Sequence, residues 1–253
     1  MRTRRILIAS VAIVAFASVI PASAQTMPFY FRADLGWSGA TTPDIHDRIT
    51  TIPTVTPHTI VGANGTAGVL DHIGNAIVAG AGAGMQFTPF LRGEIMYTYR
   101  GTYNLDELDQ ASTRFKSDIS SDSVMVNGFL DYPISGVIPY LGFGVGWAGN
   151  HISHLSATST LVVNPLIATA SSPSTAVALG GTSDNFAWQV MLGLGFPVYD
   201  GVVVDVFYRY FDGGHIRTDA GTVLVGTTPV GTYGGLEGGL HSNELVASVR
   251  FAL

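Results

Sequence analysis

Cysteine does not occur anywhere in the 253-residue sequence. That absence rules out a disulfide framework, thiol chemistry and a lipidated N-terminal cysteine. Charge is scarce too: 12% of residues are Asp, Glu, Lys or Arg, against about a quarter in ordinary globular chains. The basic residues form no stripe, which argues against nucleic acid as a partner. Beyond residue 24 no stretch approaches the roughly 18 uninterrupted apolar residues of a spanning helix. Against these shortages stand a mean hydropathy of +0.34 and 31 glycines.

The N-terminus carries its own pattern. Arg2, Arg4 and Arg5 precede an apolar run of 15 residues from Ile6 to Ile20, then Pro21 and Ala22-Ser23-Ala24 before Gln25. Positive, apolar, then small-x-small is the order of a secretory signal, predicted here as residues 1–24 with cleavage after Ala24. The remaining domain, residues 25–253, holds 9 basic (12 minus 3) and 18 acidic residues, a net charge of −9. An exported, apolar, glycine-rich chain without spanning helices has one other way to satisfy its backbone in lipid, a closed β-barrel.

Period-two segments of about ten residues are the mark of such a barrel. Eight are predicted, at about 29–38, 75–87, 91–103, 121–132, 138–148, 185–196, 202–211 and 243–253. In each, one face is an apolar row, as in Leu141, Phe143, Val145 and Trp147, or Val204, Val206, Tyr208 and Tyr210. The opposite faces carry Arg32, Asp34, Arg92, Glu94, Arg100, Asp131, Asp205, Arg209, Glu244 and Arg250, with no charge expected on the apolar face within these cores. A slip of one residue would turn all ten into lipid, at ~2–4 kcal/mol for a mid-bilayer Arg. A soluble β-sandwich also alternates, but it needs a charged exterior that ten strand charges do not supply.

The expected links alternate strictly: long at 39–74, 104–120, 149–184 and 212–242, short at 88–90, 133–137 and 197–201. Outer-membrane barrels have short periplasmic turns and longer external loops, so both termini fall on the periplasmic side. Trp37, Tyr99, Tyr103, Trp147, Trp188 and Tyr210 are then expected as an external aromatic girdle. Phe29, Phe87, Tyr132, Phe196 and Phe251 form its periplasmic counterpart. The predicted fold is an eight-stranded antiparallel up-and-down transmembrane β-barrel behind a cleaved signal peptide.

Several segments resemble the small outer-membrane β-barrel surface proteins, the OmpA-like and opacity-related "porin family". They are Pro139-Tyr140-Leu141-Gly142-Phe143-Gly144-Val145-Gly146, Phe186-Ala187-Trp188-Gln189, Tyr208-Arg209-Tyr210, the pair Asn127 and Asp131, and Val249-Arg250-Phe251-Ala252-Leu253. The similarity covers the strand regions from about 28 to 253. The family's last strand usually closes with Phe; here Leu253 ends it. The resemblance implies roles in envelope integrity, surface adhesion and, in some members, haem binding.

Function is read from the two sides of the wall. Eight strands enclose a space that side chains roughly fill, and five Arg against five carboxylates are balanced. A buried charge is tolerable when paired and hydrogen-bonded, so a packing network is expected rather than an open pore. All seven histidines fall in or next to the external connections. His241, Ser242 and Glu244 are close in sequence but match no catalytic spacing, so no enzyme activity is expected. His151 and His154 are candidates for haem or metal capture, although a loop fixes no coordination geometry; no cofactor is assigned. Loops 39–74 and 149–184, 36 residues each, are rich in Thr, Ser, Ala and Val. They suit contact with lipopolysaccharide or with a host or envelope macromolecule. The reading is a structural, surface-interaction protein of the outer membrane; a narrow channel or a ligand-capture protein for haem or a small solute is the alternative.

Overall fold

The computed structural model describes residues 29–41, 46–47, 72–108, 113–153, 155–159, 174–178, 180–225 and 227–253. The predicted leader 1–24, the segment Thr160-Leu161-Val162-Val163 and His154 lie outside them. In chain order the strands are β1 (Phe29–Thr41), β2 (His46–Asp47), β3 (His72–Thr88), β4 (Leu91–Leu108), β5 (Thr113–Asp131), β6 (Ile138–Ile152) and β7 (Leu155–Ser159). They continue as β8 (Ser174–Ala178), β9 (Gly181–Tyr199), β10 (Val202–Arg217), β11 (Gly221–Val225), β12 (Thr228–Tyr233) and β13 (Leu236–Ala252).

Eight of these are the staves of a barrel. β1, β3, β4, β5, β6, β9, β10 and β13 pair antiparallel, each with its neighbour. β1 then meets β13, from Tyr30 opposite Ala252 to Thr41 opposite His241, and the ring is closed. The alternation that predicted the staves is the alternation of burial. Along β6, Tyr140, Gly142, Gly144, Gly146, Ala148 and Asn150 are buried while Leu141, Phe143, Val145 and Trp147 are exposed. Leu35 is 64% exposed on the outer wall whereas its neighbour Asp34 is 6% exposed inside. The molecule is apolar outside and polar within.

Short turns join the staves at one end. Pro89-Phe90 links β3 to β4, residues 132–137 link β5 to β6, and Asp200-Gly201 links β9 to β10. The last link, expected over 197–201, tightens to two residues because Gly201 takes φ +76°. A Cβ there meets the left-handed penalty, so Gly201→Ala is expected to cost about 1–2 kcal/mol. Urea unfolding of the refolded barrel measures it, and an unchanged midpoint would contradict it.

At the other end the staves run far past the expected boundaries. The expected loop 104–120 is almost wholly strand, since β4 ends at Leu108 and β5 begins at Thr113. The long connections also hold strands of their own. Above the point where β6 ends, β7 takes its place on the edge of β5, with Lys116 opposite Ser156. β8 pairs β7, β11 pairs β8, and β12 pairs β11. The third and fourth connections thus build one sheet that continues the wall outward, while β2 of the first connection pairs the start of β13. These strands are only five or six residues long and rich in Thr, Ser, Ala and Val, so period two does not mark them, although Leu155 and Val223 are buried.

Candidate functional site

The ten charges singled out from sequence all face the lumen and are all buried. Strand alternation aims them; cross-barrel reach pairs them. Near the end with the short turns Arg32 donates to Asp34 Oδ1 at 2.8 Å and to Glu94 Oε1 at 3.0 Å. Glu94 also accepts from Asn127 Nδ2 at 3.1 Å and from the Tyr30 hydroxyl at 3.1 Å. Arg92 donates to Asp131 Oδ2 at 2.9 Å, and Arg250 grips Asp205 with two bonds of 2.8 Å. Higher up, Glu244 accepts from Arg100 Nε at 2.6 Å, from Arg209 Nε and from the Ser242 hydroxyl. Arg209 Nη1 lies 3.9 Å from Asp34 Oδ2 and ties the two levels together.

Aromatic rings close the remaining space. The Arg92 guanidinium lies 3.8 Å from the Phe129 ring centroid and 4.7 Å from that of Tyr140, and Arg100 lies 3.4 Å from that of Phe211. Arg92 Nη2 and Arg100 Nη2 make no conventional hydrogen bond; the ring faces take their positive charge instead. Opposite these bulky groups stand glycines. A Cβ at Gly84 would lie 2.3 Å from the Tyr30 ring, one at Gly142 2.6 Å from Phe129, and one at Gly193 2.5 Å from Tyr140 and from Phe207. Large side chains of one wall fill what glycine leaves on the other.

The girdle needs one correction. Trp37, Tyr99 and Trp147 are exposed on the outer wall, and Trp188 and Tyr210 meet there at a tilt, with ring centroids 5.4 Å apart. Tyr103 is fully buried instead, its hydroxyl 2.7 Å from Ser38 Oγ. The cause is a β-bulge: Arg100 opposes Ser121 but Tyr103 opposes Ile119, so β4 holds one extra residue and its later side chains change face. A second correction concerns Asp122, which lies on the outer wall inside a predicted strand core expected to carry no outward charge. It sits near the external end, 3.6 Å from His151 Nδ1.

Among the described residues the histidines do not gather. His151 is half-exposed beside Asp122, and among the described residues no group of three metal-ligating side chains occurs. His241 stands on the outer wall against Asp212 and Tyr210, whereas Ser242 and Glu244 face the lumen. Strand alternation therefore keeps His241 away from its two sequence neighbours. Sequence reasoning missed the set Trp188, Tyr210, Asp212 and His241. Trp188 Nε1 donates to Asp212 at 3.1 Å, and Asp212 also accepts from the Gly214 amide at 2.9 Å. Asp212 thereby pins the β-bulge between Asp212 and His215.

A closed ring with a charged, packed interior and an apolar exterior is what the outer membrane protein β-barrel domain describes, and the model of that family matches residues 9–244. The chain belongs to this family. Outer membrane protein PagN of Salmonella typhimurium is 26% identical over 165 residues, 60% of this chain and 64% of PagN. The chain therefore spans just under two thirds of that relative. Among solved structures, Neisserial surface protein A is 17% identical with a TM-score of 0.48, over 88% of this chain and 96% of that one. Ail, the attachment invasion locus protein of Yersinia pestis, is 13% identical with a TM-score of 0.37, over 89% and 100%.

As an outer-membrane β-barrel, the protein has three distinct surfaces. The outer wall, with Leu35, Ile77, Ile95, Val126, Leu141, Leu192 and Leu245 exposed, faces acyl chains. The lumen is a neutral set of ion pairs. Beyond the staves, β7, β8, β11 and β12 continue the wall as a sheet at the end opposite the short turns.

Proposed function

We propose that this outer-membrane barrel is a structural, surface-interaction protein whose external sheet meets another macromolecule and which performs no catalysis. The observation that carries the reading is the β5–β7–β8–β11–β12 sheet, knitted from two long connections and continuous with the barrel wall. Backbone pairing gives these strands a fixed surface, and ordering costs of about 1–2 kcal/mol per residue are met by the fold rather than by binding. Lipopolysaccharide touching the outer rim, and a host or envelope macromolecule touching the sheet above it, are the partners such a surface suits. Absence of catalysis rests on the separation of His241 from Ser242 and Glu244 across the wall.

Deleting residues 155–178 removes β7 and β8 while sparing all eight staves. Cells carrying that deletion are expected to lose surface attachment while the barrel keeps its heat-modifiable gel mobility. Unchanged attachment would end the proposal.

The interlocked lumen also favours a closed barrel over a narrow channel. Planar-bilayer recordings of the purified protein are expected to show no steady open level, and a stable conductance would favour the channel instead. We also propose that residues 1–24 are a leader removed on export, so the intact mass of the membrane-extracted protein should begin at Gln25.

A further inference from the structure

Two glycines break the apolar outer wall within its membrane-spanning part. Gly93 on β4 and Gly128 on β5 are direct cross-strand partners, with Met85 of β3 beside Gly93 and Phe143 of β6 beside Gly128. The lumen glycines have a reason inside the protein, because a Cβ would strike a side chain. Gly128 has none: nothing lies within 4 Å of the place its Cβ would take. Glycine in a strand interior weakens the strand, and a β-branched residue would suit this position better.

The space is a groove of about 720 Å³, floored by Gly93 and Gly128 and walled by Met85, Phe87, Ile95 and Phe143. Phe87 leans over Gly93, its ring 2.9 Å from where a Cβ would stand. Gly93 is two residues beyond the start of β4 at Leu91, about 7 Å along the strand. The groove therefore opens to the periplasmic leaflet, between the Phe29–Phe87 end of the wall and the mid-membrane rows, and continues the surface that already meets acyl chains.

We infer that this groove is a docking site for one acyl chain of a periplasmic-leaflet phospholipid. In hydrocarbon the gain comes from packing rather than from leaving water, and an unfilled dent forfeits its dispersion contacts outright. A flexible chain follows the groove floor without any matching protrusion. A second copy of the barrel fits only where a rigid protrusion of the same wall matches the groove, a constraint that a flexible chain does not carry.

The test uses Gly128→Leu, whose Cβ meets no protein atom within 4 Å and whose side chain extends into the groove. Both proteins are taken up with palmitoyl-oleoyl phosphatidylethanolamine in mixed micelles and weighed by native mass spectrometry, with gel mobility confirming the fold. The wild-type barrel is expected to hold a single lipid about tenfold more tightly than the variant, since about ten weak atom–atom contacts are displaced. Equal lipid retention by two folded proteins overturns the inference. So does a wild-type dimer that carries no lipid and that the substitution dissociates. Should Gly128→Leu not fold, Phe143→Ala, which lowers one wall, is expected to weaken lipid retention, and unchanged retention there overturns it equally.

Discussion

Replacing Glu244 with alanine is expected to lower the unfolding free energy by about 3–5 kcal/mol, the range for breaking a buried ion pair by removing one partner. Glu244 is the single acceptor that Arg100, Arg209 and Ser242 share, and Ser38 Oγ reaches it at 3.3 Å as well. Arg100 and Glu244 have fully buried side chains and that of Arg209 is 1% exposed. Without the carboxylate, two guanidinium ions would remain side by side in a closed space. Arg100 would keep the Ser123 hydroxyl at 2.9 Å and the Phe211 ring, and Arg209 the distant Asp34 at 3.9 Å and, at the edge of reach, the Phe207 ring at 5.8 Å. Urea unfolding in phospholipid vesicles measures the loss.

Two companions separate charge from shape. Glu244→Gln keeps the volume and one acceptor oxygen and should lose roughly half as much, since hydrogen bonds to an ionised group are about twice as strong as neutral ones. The triple replacement Arg100→Met, Arg209→Met and Glu244→Leu removes the uncompensated charge along with the pair and should recover most of the loss. If Glu244→Ala unfolds within about 1 kcal/mol of wild type, as a solvent-screened pair would, then the lumen is wet at this level and the closed-barrel reading weakens with it.

The reason such a network was legible in sequence is that lipid is an unforgiving sorter. Arg32, Glu94 and Arg209 could occupy only one face of their strands, so alternation alone placed them in the lumen. Alternation could not say who pairs with whom. Arg32 reaches Glu94 across an intervening strand, and Arg100 reaches Glu244, 144 positions away in sequence; such pairings follow from barrel curvature, which period two does not encode. Tyr103 was misplaced because Gly101 and Thr102 carry no polarity that would flag a bulge, and one extra residue inverts every later side chain. Asp122 was overlooked because it sits where the wall passes from acyl chains to headgroups, and there charge no longer sorts by face. β7, β8, β11 and β12 escape for a different reason: at five or six residues each, and rich in Ser, Thr, Ala and Val, they are too short for period two to show, although Leu155 and Val223 are buried.

The glycines supply the sharpest contrast between the two sides of the wall. Gly146→Val is expected to destabilise the barrel by about 3 kcal/mol, the upper part of the overpacking range. A Cβ there would stand 2.0 Å from the Val124 carbonyl oxygen and 2.9 Å from Met125 Cα, both backbone atoms of the paired strand β5. Neither can step aside without breaking the β5–β6 ladder, in which Gly146 opposes Met125. At Gly144 the obstruction is the tip of a side chain, Asn127 Oδ1 at 1.9 Å. Gly144→Ala should therefore cost less, chiefly the bond that Asn127 Oδ1 accepts from Gln189 Nε2 at 2.7 Å. Gly128→Leu, facing open space on the opposite side of the wall, should cost the protein itself nothing. Folded fraction after refolding, read from gel mobility before and after heating, orders the three variants. An order in which Gly146→Val refolds as well as Gly128→Leu would mean that β6 can shift against β5, and that the lumen glycines are not the small half of a large-and-small fit.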